Sequence, residues 1–169
     1  MKIKLLGFAF SLLVVPFFSL TAFTDVNETT GNAITVWGEY NNAFEILAVT
    51  QIGGVYAPSI NLANPLTDSR DPVVSINSSN QAVSVWIGRD PALGTMNLYA
   101  ASYQAGLWSP SVLISVPLLE SVQRDYSVKV ANNGVVVITW KSYHLTTGIF
   151  VMRSMYTSVF GTWTLPVTL

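Results

Sequence analysis

A repeat of about fifty residues, present in three copies, constrains this chain more than any other feature of its sequence. The segment from Asp71 to Trp86 aligns without a gap with the segment from Asp125 to Trp140, which puts position 125 at 54 residues beyond position 71. The first copy ends its matching strand at Trp37. Because a short repeat unit buries its apolar face only against its neighbours, we expect the three copies to stack.

Each copy divides into four β-rich segments separated by Gly, Asn, Asp, Ser and Pro, the residues that favour turns. In the second copy these segments run roughly from 72 to 77, 82 to 87, 96 to 103 and 108 to 115. Asn132-Asn133-Gly134 predicts a tight hairpin turn in the third copy, because Asn and Gly tolerate positive φ angles. Beyond the amino-terminal segment we find no helical periodicity, so the pattern predicts an all-β protein.

The second strand of each copy is apolar on both faces. In the second copy, Val83 and Val85 point one way, and Ala82, Ser84 and Trp86 point the other. A strand buried on both sides predicts four-stranded antiparallel sheets stacked as the blades of a β-propeller. Closed propellers have four to eight blades, so three blades predict a partial ring, a dimer completing six blades, or a fragment. A β-trefoil or a β-prism, both with threefold pseudosymmetry, is the alternative.

The amino terminus has the pattern of a secretory signal peptide. Met1 to Lys4 is basic, the next sixteen residues are uncharged and apolar, and Thr21-Ala22 precede the first acidic residue. The apolar segment is shorter than the ~20 residues of a spanning helix, which makes an uncleaved anchor the weaker alternative. We therefore predict a signal peptide at 1–22 and a three-repeat domain at 23–169, with repeats at about 23–66, 67–120 and 121–169. The expected location is secreted, periplasmic or at a bacterial cell surface.

Composition excludes several classes of protein. Loss of Lys2 and Lys4 with the signal would reduce eight basic residues to six against nine acidic ones, a net charge of −3. No basic patch suits nucleic acid, and membrane contact is expected only through the signal segment. The chain has no cysteine and a single histidine, His144, so we expect no disulfide, no metal site, no cofactor and no Cys or His-dependent nucleophile.

The second copy, from Asp71 through Pro110, resembles the repeats of bacterial exported β-propellers, and the third copy follows it closely. This resemblance implies a propeller fold shared with carbohydrate-binding lectins and with sialidases. The Asp-box of sialidases is only approximated between Ser102 and Trp108, because Gln104 stands where Asp belongs and one residue is missing. The mature chain has four arginines that match no local motif of that family: Arg70, Arg89, Arg124 and Arg153.

The recurring aromatics are the best candidates for ligand binding. Trp37, Trp86 and Trp140 occupy one repeat position, where each either packs between blades or offers a ring face to a sugar. The loops after these tryptophans supply the polar candidates Glu39, Arg89, Asp90, Lys141 and His144. No catalytic residue is assigned, although Glu39, Glu45, Asp68 and Asp90 could provide a carboxylate pair.

The sequence therefore predicts an exported, non-enzymatic binding or surface protein that recognises glycan or protein through the loops at blade junctions. The alternatives are a structural or assembly module, a fragment of a larger propeller, and a degenerate glycosidase. Arginines or carboxylates clustered on one face would indicate an enzyme, whereas exposed aromatics there would indicate a binding module.

Overall fold

The computed structural model describes residues 22–40, 43–63, 68–116, 118–158 and 163–169. These ranges form three antiparallel sheets and contain no helix, so the predicted stack of blades is confirmed. The predicted signal peptide lies almost entirely outside the described residues. Within the described ranges, no helix has the length and apolar character required to cross a membrane.

Each blade comprises one repeat, and within the blade the strands lie side by side in chain order. Blade 1 contains β1 (Ala22–Val26), β2 (Ala33–Tyr40), β3 (Phe44–Ile52), β4 (Val55–Tyr56) and β5 (Ile60–Asn61). Blade 2 contains β6 (Asp68–Ile76), β7 (Ala82–Arg89), β8 (Met96–Gln104), β9 (Leu107–Trp108) and β10 (Val112–Leu113). Blade 3 contains β11 (Glu120–Val130), β12 (Val135–His144), β13 (Phe150–Ser158) and β14 (Val167–Thr168). The sequence predicted one fourth strand per blade, but in blades 1 and 2 it is split where Pro58 and Pro110 remove a backbone donor.

The blades contact one another through their first strands. Strand β6 packs against β1, β2 and β3, and β11 packs in the same way against β6, β7 and β8. Two apolar clusters fill the junctions between successive blades. As predicted, Trp86 points to the opposite face of β7 from Val83 and Val85. The structure adds the direction: Trp86 packs toward blade 1 with Ile34 and Val36, whereas Val83 and Val85 pack toward blade 3.

Hairpin turns at one end of the stack connect successive blades. The Asn27 side-chain amide donates to the Ser78 carbonyl at 3.0 Å, and the Asn77 amide donates to the Ala131 carbonyl at the same distance. The Ser78 backbone N–H in turn donates to the Asn132 side chain at 3.1 Å. These bonds hold neighbouring blades at equal height, so equivalent residues of adjacent blades lie opposite one another.

Two β-bulges interrupt the first strands at the other end of the stack. One lies between Arg70 and Val73 in β6, and the other lies between Val122 and Tyr126 in β11. Asp71 in the first bulge has a φ of 53°, a strained value for a residue with a side chain. Bulges re-aim side chains and are common beside active sites, so this end of the molecule is a candidate location for a functional site.

Candidate functional site

Among the described residues, clefts lie at the contacts between blades, and three of them are compared below. A groove of about 610 Å³ between blades 1 and 2 is lined by Tyr56 and Tyr103, among others. A second, of about 370 Å³, lies among the asparagine-rich hairpin turns. The third has a volume of about 460 Å³ and lies between blades 2 and 3, beside both bulges. Its volume falls within the range typical of small-ligand sites, and it gathers more charged side chains than the other two.

We call this third site the arginine cleft. Its lining residues are Asp68, Arg70, Ile87, Arg89, Gly94, Met96, Ser121, Val122, Gln123 and Arg124. Arg70 and Arg124 occupy the same position in successive repeats, just before the acidic residue of each bulge. Arg89 reaches the cleft from the end of β7. The cleft therefore receives two arginines from equivalent first strands and a third from the end of a second strand.

Two of the three guanidinium groups that line the cleft are paired with a carboxylate. Arg70 pairs with Asp68 at 2.5 Å, and its guanidinium carbon lies 4.3 Å above the centre of the Phe44 ring. Arg124 pairs with the Asp71 carboxylate at 3.0 Å. Arg89 is exposed and has no ion pair within the described ranges. With three arginines against these two carboxylates, the cleft has one positive charge in excess and suits an anionic group.

Tyr126 fixes the bulge behind the cleft. Its hydroxyl donates a hydrogen bond to the Asp71 carbonyl oxygen, so β11 holds the strained residue of β6 in place. Burial raises the pKa of the Tyr126 phenol well above the ordinary tyrosine value, and the nearby Asp71 carboxylate raises it further. The phenol therefore remains protonated at neutral pH and acts as a structural donor.

Replacing Tyr126 with phenylalanine should lower the free energy of unfolding by about 1–3 kcal/mol, because a largely buried carbonyl loses its donor. A raised folded-state pKa gives stability that is complete below the ordinary tyrosine value of about 10 and is lost as pH rises beyond it. The variant should therefore lose less stability than the wild type above pH ~10. Urea unfolding at several alkaline pH values tests this, with Tyr56→Phe on an exposed ring as the control. Equal alkaline slopes for wild type and Tyr126→Phe would contradict the assignment.

The three predicted tryptophans differ in accessibility. Trp86 and Trp140 are 1% and 0% exposed and pack into the blade junctions, so neither ring has a face for a ligand. Their predicted stacking role is thereby corrected to interblade packing. Trp37 is half-buried, and its indole N–H donates to Glu39 at 3.3 Å on an open side of blade 1.

The predicted loop residues are mostly engaged in local contacts. Asp90 accepts the backbone N–H groups of Ala92 and Leu93 at 2.8 and 2.9 Å. His144 is its repeat equivalent and accepts the Thr147 N–H at 3.3 Å, so both residues order their loops. Lys141 lies 4.6 Å above the Phe150 ring. Of the eight predicted binding residues, Arg89 is the one that lines the arginine cleft.

A second polar group lies deeper in blade 3. The Glu120 side chain is 1% exposed, and the Arg153 Nε donates to its Oε1 at 2.9 Å. Glu120 Oε2, Trp140 Nε1 and Ser142 Oγ are buried and have no hydrogen-bond partner among the described residues. No group of three metal-ligating side chains occurs in the part of the chain that the structure describes. We interpret the Glu120–Arg153 pair as structural.

No family model and no curated protein sequence matches this chain. Solved structures do. The chain is similar to the endo-arabinase from Bacteroides thetaiotaomicron VPI-5482, with 14% identity, a TM-score of 0.53, and coverage of 86% of this chain and 61% of that one. It is also similar to the Penicillium chrysogenum α-L-arabinanase complexed with arabinobiose, with 12% identity, a TM-score of 0.55 and coverage of 88% and 48%. The polysaccharide lyase Uly1 matches with 8% identity, a TM-score of 0.55 and coverage of 89% and 40%.

These comparisons define a class of fold, the β-propeller type, and the chain spans 61% or less of the length of each of these neighbours. They also correct the prediction of a non-enzymatic binding or surface protein, because the matched structures are enzymes. At 8–14% identity, the likeness establishes the fold alone.

Proposed function

We propose that this chain is a carbohydrate-active enzyme, or the propeller portion of one, and that its substrate is an acidic polysaccharide bound in the arginine cleft. The observation that carries the proposal is the convergence of Arg70, Arg89 and Arg124 on one cleft that also contains Asp68. Guanidinium groups recognise carboxylates through paired, charge-assisted hydrogen bonds. A cleft with a positive excess on a chain of net charge −1 therefore favours an anionic sugar.

Each cleft residue has a distinct role in this proposal. Arg89, exposed and without an ion pair in the described ranges, binds the carboxylate of the sugar. Asp68 holds Arg70 in position and is the carboxylate among the described lining residues. As general base it takes a proton from the water whose oxygen bonds to the anomeric carbon, while the glycosidic C–O bond breaks and the leaving oxygen takes a proton from solvent. Arg124, held by Asp71, lines the cleft from the opposite blade.

The fold neighbours support the reaction class. The matched structures are an endo-arabinase, an arabinanase and a polysaccharide lyase, which makes cleavage of a polysaccharide the first activity to test. Export fits the same proposal, because a polymeric substrate must be met outside the cytoplasm. We retain the 1–22 segment as a proposed signal peptide and the periplasm, cell surface or medium as the proposed location.

The test measures binding and cleavage with polygalacturonate and alginate as acidic polymers and arabinan as a neutral one. Arg89→Ala should weaken binding of the acidic polymers about 10–100-fold, since a charged hydrogen bond is lost. Asp68→Asn should lower kcat about 10²–10⁴-fold with a smaller change in KM. Lys129→Ala is the matched control, because it removes one positive charge outside the arginine cleft.

The results separate the parts of the proposal. Cleavage of arabinan with no preference for the acidic polymers would retain the enzyme and overturn the acidic substrate. Equal effects of Arg89→Ala and Lys129→Ala would show that general charge, and not the cleft, governs binding. Absence of any cleavage by the wild type across the panel would overturn the proposed activity.

A further inference from the structure

We propose that the two open sides of the blade stack bind a second copy of this chain, head to tail, and close a ring of six blades. The front face is the side of blade 1 that points away from blade 2, formed by Thr24, Thr35, Trp37, Leu47 and Val49. The back face is the opposite side of blade 3, which points away from blade 2. It is formed by Val135, Val137, Lys141, Phe150 and Met152.

The front face contains a tryptophan whose repeat equivalents are buried. Trp86 and Trp140 each pack against the blade before them and are 1% and 0% exposed. Trp37 occupies the same repeat position, but no described blade precedes blade 1, so its ring is only half-buried. The front face is thus built to pack on a preceding blade.

The back face supplies the matching surface. Val137 and Met152 lie 54 positions after Val83 and Leu98, both of which are 0% exposed where blade 3 covers blade 2. In blade 3 these positions are uncovered, and the two side chains are 41% and 40% exposed. Phe150 beside them is 57% exposed. This cluster of exposed apolar residues is the surface that a following blade would bury.

Charge favours pairing of the two faces with each other. Glu39 and Glu45 lie opposite one another at the end of β2 and β3, so two like charges face each other at the edge of the front face. Lys141 on the back face occupies the repeat position of Ile87 in blade 2. The residue after Ile87, Gly88, occupies the repeat position of Glu39 in blade 1. Because equivalent residues of adjacent blades lie opposite one another, Lys141 would meet the two glutamates of the second copy.

Two copies suffice to close the ring. Three blades from each copy give six, within the four to eight that propellers use, and both front faces and both back faces are then covered. The junction between copies lacks two contacts of the internal junctions. Between blades 2 and 3, the Asn77 amide donates a hydrogen bond to the next blade and the Ser75 hydroxyl accepts one from it. Blade 3 has Ala131 and Lys129 at these two repeat positions, and neither side chain can make the same bond. We therefore expect a dimer whose population depends on concentration.

Light scattering on a sizing column over a range of concentrations tests the proposal with the purified chain. The wild type should approach twice the mass of one chain. Trp37→Asp on the front face and Met152→Asp on the back face should each give monomers. Leu107→Asp is the matched control, because Leu107 is 73% exposed on β9 and belongs to neither face. Circular dichroism melting confirms that each variant is folded.

Mixing the two monomeric variants identifies the mode of contact. The intact back face of Trp37→Asp and the intact front face of Met152→Asp can form one head-to-tail junction, so the mixture should recover a heterodimer. A wild type that stays monomeric at every concentration overturns the proposal and favours further blades within a longer chain. A dimer that Met152→Asp leaves unchanged, or growth into open polymers, overturns the closed head-to-tail ring.

Discussion

Replacing Trp86 with alanine is expected to lower the free energy of unfolding by about 3–5 kcal/mol, among the largest effects of any single substitution in this chain. The Trp86 ring is 1% exposed, fills the junction between blades 1 and 2, and stacks on Tyr99 with ring centres 6.4 Å apart. Removing it leaves a cavity bounded by two rigid sheets, which cannot close around it. Guanidinium unfolding followed by circular dichroism measures the loss.

Trp37→Ala is the matched control for this prediction, because it removes the same side chain from the same repeat position in blade 1. Trp37 is half-buried on the front face, so in dilute protein the variant should cost only about 1 kcal/mol. Equal costs at the two positions would contradict the stacking of blade 2 on blade 1.

Replacing Arg153 with methionine is expected to cost about 3–5 kcal/mol, because Glu120 would remain buried without its cation. The Glu120 side chain is 1% exposed, and the second oxygen of its carboxylate already has no hydrogen-bond partner among the described residues. Urea unfolding at neutral pH measures the cost.

The double variant Glu120→Gln/Arg153→Met tests the cause. If the unpaired charge is responsible, the double variant should regain a large part of the stability that Arg153→Met loses, since the remaining amide is neutral. A double variant as unstable as the sum of its single changes would mean that the methionine packs badly. In that case the ion pair would not be the source of the effect.

Most of the fold could be predicted from the repeat. The constant spacing between the second and third copies and the two-sided apolar pattern of β7 predicted both the sheets and their face-to-face stacking. Alternation along a strand has a period of two, so it states which side chains share a face without any structure. Propensity could not locate the bulges, because the strain at Asp71 is held by Tyr126, a residue from another blade.

The candidate site was only partly predictable. The spacing of Arg70 and Arg124 was visible in the sequence, but strand position alone did not show that both flank bulges facing a common cleft. Arg89 was predicted for its loop, whereas Asp68 was considered only as one of several carboxylates. Two of the predicted tryptophans proved to be interblade packing residues, because recurrence in a repeat reports shared packing more often than shared binding.

Packing between neighbours also sets an order in which the chain can acquire its structure. Every substantial contact between described strands of different blades joins consecutive blades, and each blade is contiguous along the chain. A polypeptide that emerges amino terminus first can therefore complete blade 1 and use it as a template for blade 2 before blade 3 has appeared. Each strand pairs with a strand close to it in the sequence. Unpaired sheet edges are therefore exposed only briefly during folding.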